Sequence, residues 1–171
     1  MIRLKKILYA TDLSKNSAYA FRYAVDVAER QDGEIIILHV IEPIPPGARH
    51  YAMMYVGEEK WEERIKHEQE KSIERIRKRL EKFCERESKV SAACMALVSK
   101  LLVRPGYPVD EILKAADEEK CDAIVLGTHG KGFLKQTFLG SVARTVLDRT
   151  QRPVFIIPLP HGKTEISFED I

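Results

Sequence analysis

Ile35, Ile36, Ile37, Leu38, His39, Val40 and Ile41 follow one another without a break. A strand with one wet face alternates apolar and polar residues. A nearly continuous apolar run needs cover on both faces, as parallel strands under helices have. Four shorter runs repeat the theme: Lys5–Thr11, a stretch near Ala96–Val103, Asp122–Gly127 and Pro153–Pro158. The start of the third is open, because Ser91 to Ala96 can equally extend the helix before it. Amphipathic stretches separate the runs, so the chain is expected to be α/β, with five parallel strands and helices on both faces.

Local signals place the helices. Ser14 or Asn16 can cap a helix whose Ala18, Phe21, Ala24, Val25 and Ala28 recur at helical spacing, with Gly33 closing it. Pro43, Pro45, Pro46 and Gly47 enforce a loop. From Glu58 to Lys89, 21 of 32 residues are charged, ten acidic and eleven basic. Trp61, Ile65, Ile73, Ile76, Leu80 and Phe83 run down one side of this segment. Glu62–Lys66, Glu74–Lys78 and Glu85–Lys89 are acid-before-base pairs four apart. Such a segment reads as a long helix with a solvated outer face. Val109, Ile112, Leu113 and Ala116 line a further helix, and the last begins at Ser141 with Val142, Val146 and Leu147 inward.

At 171 residues the chain is read as one domain, residues 1–160, followed by a polar tail, 161–171. Its 28 basic and 26 acidic residues nearly cancel, which gives no electrostatic reason to expect nucleic acid or a membrane surface. No apolar run approaches the roughly 18 residues of a membrane span. The opening apolar stretch, Ile7 to Ala10, is short and lacks a small-residue cleavage site, so a cytoplasmic protein is expected. Three cysteines without a CxxC pair and five scattered histidines speak against a disulfide scaffold or a protein-built zinc site.

In an open parallel sheet, ligands bind beyond the carboxyl ends of the strands. Those ends carry Thr11 and Asp12, then Val40 to Glu42, then the loop Gly127 to Leu139. The last has the chemistry of an anion site. Glycines let the backbone approach closely, Ser141 opens a helix with its positive end, and His129 and Lys131 can add charge. Asp12 can accept from a ribose hydroxyl, and the main chain near Val40 can read an adenine edge. The loop is neither GxxxxGK[ST] nor the dinucleotide GxGxxG. Bland alternatives stand beside each assignment: a strand-to-helix turn for the glycines, a helix N-cap for Asp12, and a satisfied polar group for His39.

Gly127, Gly130, Gly140 and Ser141 fit the pattern G-x2-G-x9-G-[ST], which resembles the universal stress protein family. The likeness extends to Lys5–Ser14, Leu38–Ile41, Gly106–Leu113, Ile124–Gly130, Leu139–Ala143 and Arg152–Pro158, and spans roughly residues 3 to 158. It implies a Rossmann-like sandwich, akin to the adenine nucleotide alpha hydrolases, with strand order 3-2-1-4-5. It also implies the ATP-binding class of the family. By this resemblance Asp12 lies at the ribose with Thr11 beside it, and Val40 reads adenine through its backbone. Leu126, Gly127, His129, Gly130, Gly140, Ser141 and Val142 surround ribose and phosphates. A Mg or Mn ion is implied on the phosphates, without a protein cage. A homodimer through Val154, Phe155, Ile156 and Ile157 is implied as well, since an apolar edge strand is normally paired or covered. Two positions depart from the family: Ala10 stands where many members carry proline, and Ala143 where some carry a hydroxyl. The expected function is that of an ATP-binding regulatory module in stress response. A slow ATPase and an interaction dimer with an empty crevice are the alternatives. With no evident base for the γ-phosphate, any hydrolysis is expected well below the roughly 10 s⁻¹ of dedicated enzymes.

Overall fold

A computed structural model describes residues 3–43, 47–48, 53–55, 57–87, 94–128 and 139–158. Its strands are β1 (Lys6–Thr11), β2 (Glu34–Ile41), β3 (Val98–Pro105), β4 (Ala123–Gly127) and β5 (Val154–Ile157). All pair in parallel, in the order β3-β2-β1-β4-β5. The helices are α1 (Lys15–Gln31), α2 (Glu58–Glu87), the single turn α3 (Cys94–Leu97), α4 (Pro108–Glu118) and α5 (Ser141–Arg149). The expected α/β architecture and strand order are both present.

Alternation along the strands builds two cores. Ile7, Tyr9, Ile35, Ile37 and Val125 face one way, against Phe21, Ala24 and Val25 of α1 and Ile76 of α2. Leu8, Ala10, Ile36, Leu38, Ile124 and Leu126 face the other, against Ile112 and Ala116 of α4 and Val146 of α5. Each fully buried aliphatic side chain contributes about 1.5–3 kcal/mol relative to exposure. The continuous run in β2 is therefore explained by two covered faces rather than by one.

Three local expectations are refined. Ser14 is the cap of α1, its Oγ accepting from the Ser17 N–H at 3.3 Å. At the other end the left-handed residue is Asp32 (φ 48°), not Gly33. Gly33 serves close approach instead, since a Cβ there would sit 2.7 Å from the Lys5 carbonyl oxygen. β3 begins two residues later than expected, because Ala96 and Leu97 wind into α3.

In α2, Trp61 and Ile76 are buried, Ile65 and Ile73 half-buried, and Glu74 pairs with Lys78 at 3.3 Å. The side chains of Leu80 and Phe83, all of Lys89, and the tail 161–171 lie outside the described residues. Among the described residues no helix is long and apolar enough to cross a membrane.

Cys121 is 4% exposed, just before β4. Burial pushes its thiol up to about 11. The native state thus keeps a proton that the unfolded chain releases in the ordinary thiol range. This group's contribution to stability declines as pH rises from that range toward about 11. Below that window the thiol is protonated and unreactive. Alkylation at pH 8 followed by peptide mass spectrometry should leave Cys121 unmodified in native protein and label it fully in denaturant.

Candidate functional site

The carboxyl ends of β1, β2 and β4 open into one cleft of about 610 Å³. That volume lies within the range of small-molecule sites. Ala10, Leu38 and Leu126, the last buried residues on the α4/α5 face of their strands, help line it and give it an apolar floor. Polar groups rise on either side.

On the β1 side the turn Thr11–Ser14 is fixed by its own side chains. Thr11 Oγ1 accepts from the Leu13 N–H at 3.0 Å and lies 2.9 Å from Ser17 Oγ. Leu13 takes a positive φ of 63° to make the turn. Asp12 Oδ1 accepts from the Ser14 N–H at 2.9 Å. Asp12 is therefore a turn residue two positions before the helix cap, not the cap itself. Two side chains tie this turn to the sheet. Tyr9 donates its hydroxyl to the Ser17 carbonyl at 2.5 Å, and His39 Nδ1 lies 2.8 Å from the Thr11 carbonyl oxygen. A carbonyl only accepts, so Nδ1 carries the hydrogen. His39, 8% exposed, is the satisfied polar group that its place at the sheet end suggested.

On the β4 side the chain leaves the sheet at Gly127 and returns at Leu139. The base of that loop is closed by Thr128 N–H donating to the Ile157 carbonyl (3.1 Å) and Gly140 N–H donating to the Thr128 carbonyl (2.8 Å). This brings Gly140 and the start of α5 beside the end of β4. Gly140 is the N-cap of α5 and, as a glycine, brings no side chain of its own to bond the first-turn N–H groups. Those groups have no intrahelical acceptors, and the helix dipole makes that end positive. The pair is a ready anion site.

The cleft brings together Thr11, Asp12, Val40, Leu126, Gly127, Gly140, Ser141 and Val142. His129 and Gly130, like Lys131, lie outside the described residues. Ala143, one of the two departures, is 4% exposed and packs in the α4/α5 core while touching the cleft. Sequence reasoning missed the contributions of Glu68 and Ser72 on α2 and of Pro108 and Ile112 on α4. Ser72 left a readable signal. It falls on the stripe of Trp61, Ile65 and Ile76, where an apolar residue is the rule.

The described carboxylates of the cleft, Asp12, Glu42 and Glu68, come from the β1, β2 and α2 side. Among the described residues no group of three histidine, cysteine or acidic side chains is placed to hold a metal ion.

A family model described as the universal stress protein family matches residues 3–158. The chain is 28% identical to the universal stress protein MJ0577 of Methanocaldococcus jannaschii over 167 residues, covering 91% of this chain and 96% of that one. It is 33% identical over 157 residues to a universal stress protein of Thermus aquaticus, covering 90% and 98%. Among solved structures, that of MJ0577 superposes with a TM-score of 0.70 over 94% of this chain and all of that one. The UspA of Lactobacillus plantarum, 23% identical, shares the fold with a TM-score of 0.67 over 92% of this chain and 99% of that one.

Proposed function

This chain belongs to the universal stress protein family, and on that premise we propose that it is a regulatory module that binds ATP in the cleft beyond β1, β2 and β4. One observation carries the reading: the glycine-capped N-terminus of α5 and the Asp12 carboxylate line the same cleft from adjacent strand ends. Phosphates suit the first, and a ribose hydroxyl suits the second. The main chain at Val40 takes the base. Thr11 flanks the ribose, while Leu126, Gly127, Gly140, Ser141 and Val142 take ribose and phosphates, with His129 and Gly130 in the same loop. A Mg or Mn ion carried on the phosphates would offset their charge, which suits a cleft whose described lining includes carboxylates and neither lysine nor arginine. Family membership supports a stress-responsive role, and we place that role in the cytoplasm.

The experiment is to heat pure protein, identify released small molecules by mass spectrometry, and titrate emptied protein with ATP and magnesium. Absence of binding at millimolar ATP sinks the reading. Two variants separate the duties of Asp12. Asp12→Asn keeps an oxygen for the Ser14 N–H, and should leave folding intact while weakening ATP by about 1.5 kcal/mol. Asp12→Ala also loses the turn bond and should weaken ATP by up to about 3 kcal/mol.

The same reading includes a homodimer through β5. That strand pairs only with β4 among the described residues, and Val154, Phe155 and Ile156 are half-buried there. A two-fold partner strand would use the open edge. Light scattering should give twice the 19.6 kDa chain mass, and Ile156→Pro should return it to one. A wild-type monomer at micromolar concentration rejects the dimer.

A further inference from the structure

Helix α2, the charged segment, supplies one wall of the cleft. Glu68 and Ser72 both line it. Four residues apart, they lie on one face of the helix, about 6 Å along its axis. Ser72 is only 8% exposed, between the buried anchors Trp61 (7%) and Ile76 (3%). Among the described residues none hydrogen-bonds the Ser72 side chain, and its Oγ is not sealed away from the cleft, so it is available to a molecule bound there. The helix is held at this place by packing on β3 and by Gln69, whose Nε2 donates a long bond (3.5 Å) to the Val103 carbonyl.

The sheet order then fixes what faces what. α2 packs on the β3 side, whereas α5 begins next to the end of β4. The β2 and β4 ends are two strand spacings apart, roughly 10 Å. The cleft is thus polarised, with a positive helix end at one side and Glu42 and Glu68 at the other. Lys71 pairs with Glu68 Oε1 at 3.5 Å, but both side chains are half-exposed, so the pair is weak and the second carboxylate oxygen can still accept. A ligand matching this polarity carries phosphates at one end and an N–H donor at the other.

The geometry points to Glu68 and Ser72 as specificity-determining residues that read the amino-bearing edge of a purine base. Glu68 accepts from the exocyclic 6-amine, and Ser72 donates to a ring nitrogen. This inference rests on the ATP-binding reading above. A 6-oxo base turns a lone pair toward the same carboxylate, so selectivity arises as much from repulsion as from attraction.

The test titrates the full chain with magnesium and either ATP or ITP, which differ at that one position. Wild type should bind ATP at least about tenfold more tightly than ITP. Glu68→Ala should weaken ATP about tenfold and leave ITP nearly unchanged, collapsing the ratio. Glu68→Gln, which offers an amide donor and keeps the side-chain size, should bind ITP better than wild type does. Ser72→Ala should weaken both about threefold or more. Glu74→Ala, on the solvent side of the same helix, should move neither, which separates base reading from helix stability; melting curves confirm that each variant folds. Equal ATP and ITP affinity in wild type, GTP as tight as ATP, or an unchanged ratio in both Glu68 variants overturns the inference and leaves ATP binding standing. A wild-type chain that binds no ATP overturns both.

Discussion

Ile37→Ala should lower the free energy of unfolding by about 3–4 kcal/mol, a large part of the roughly 5–15 kcal/mol available to a domain. Ile37 is 1% exposed in the middle of β2. Its backbone is paired with Tyr9 of β1 and Leu101 of β3, and its side chain joins the core beneath α1 and α2. Neither neighbouring strand can collapse into the vacated volume without breaking its own ladder, so most of the cavity persists. Chemical denaturation should show a lower midpoint with an unchanged slope. Ile37→Val, one methylene smaller, should cost only about 1 kcal/mol. Because Ile37 does not line the cleft, ligand affinity in the folded fraction should be unaffected. A loss below about 1 kcal/mol for the alanine variant would contradict the packing described for β2.

Gly33→Val should be the costliest change at the amino-terminal edge of the sheet, roughly 2–3 kcal/mol. The added Cβ would meet the Lys5 carbonyl at 2.7 Å and the Leu4 carbonyl at 2.9 Å. Both are backbone atoms, which cannot swing aside as a long side chain can. The flanking bonds, Gly33 N–H to the Ala28 carbonyl (2.8 Å) and Glu34 N–H to the Lys5 carbonyl (2.7 Å), set the register of β2 on β1. Relief of the clash must therefore stretch one of them. Thermal melting should show the loss, and a variant as stable as wild type would mean that β1 and β2 separate here at no cost.

What the sequence disclosed, and what it withheld, follows from the range of the interactions involved. β1, β2 and β4 were legible because residues buried on both faces write an unbroken apolar run, and β5 because its mostly half-buried edge run Val154–Ile157 is apolar throughout. β3 was less so. It is an edge strand in which Ser99 and Lys100 are exposed and Leu101 to Arg104 are only half-buried, so polar residues interrupt its run and its start is blurred. The roles of Asp32 and Gly33 could not be divided without knowing that Lys5 passes within contact of that turn. Cleft residues at strand ends were legible from the general behaviour of parallel sheets. Glu68 and Ser72 were not, because a charge-dense helix looks the same whether its polar residues meet water or a ligand. Their place depends on α2 crossing from β2 to β3, a contact between segments more than thirty residues apart.

The central position of β1 has a kinetic consequence. β2 and β4 flank it, both faces are covered, and it runs directly into the turn that carries Asp12. Amide hydrogens in such a strand exchange only through openings close to global unfolding, whereas an outer helix can open at lower cost. The amides of Leu8 to Ala10 should therefore exchange orders of magnitude more slowly than those of α2. The cleft's floor and its α2 wall then live on different timescales: a ligand meets a floor that is already in place and a wall that can still adjust, so occupancy should slow exchange in α2 far more than in β1.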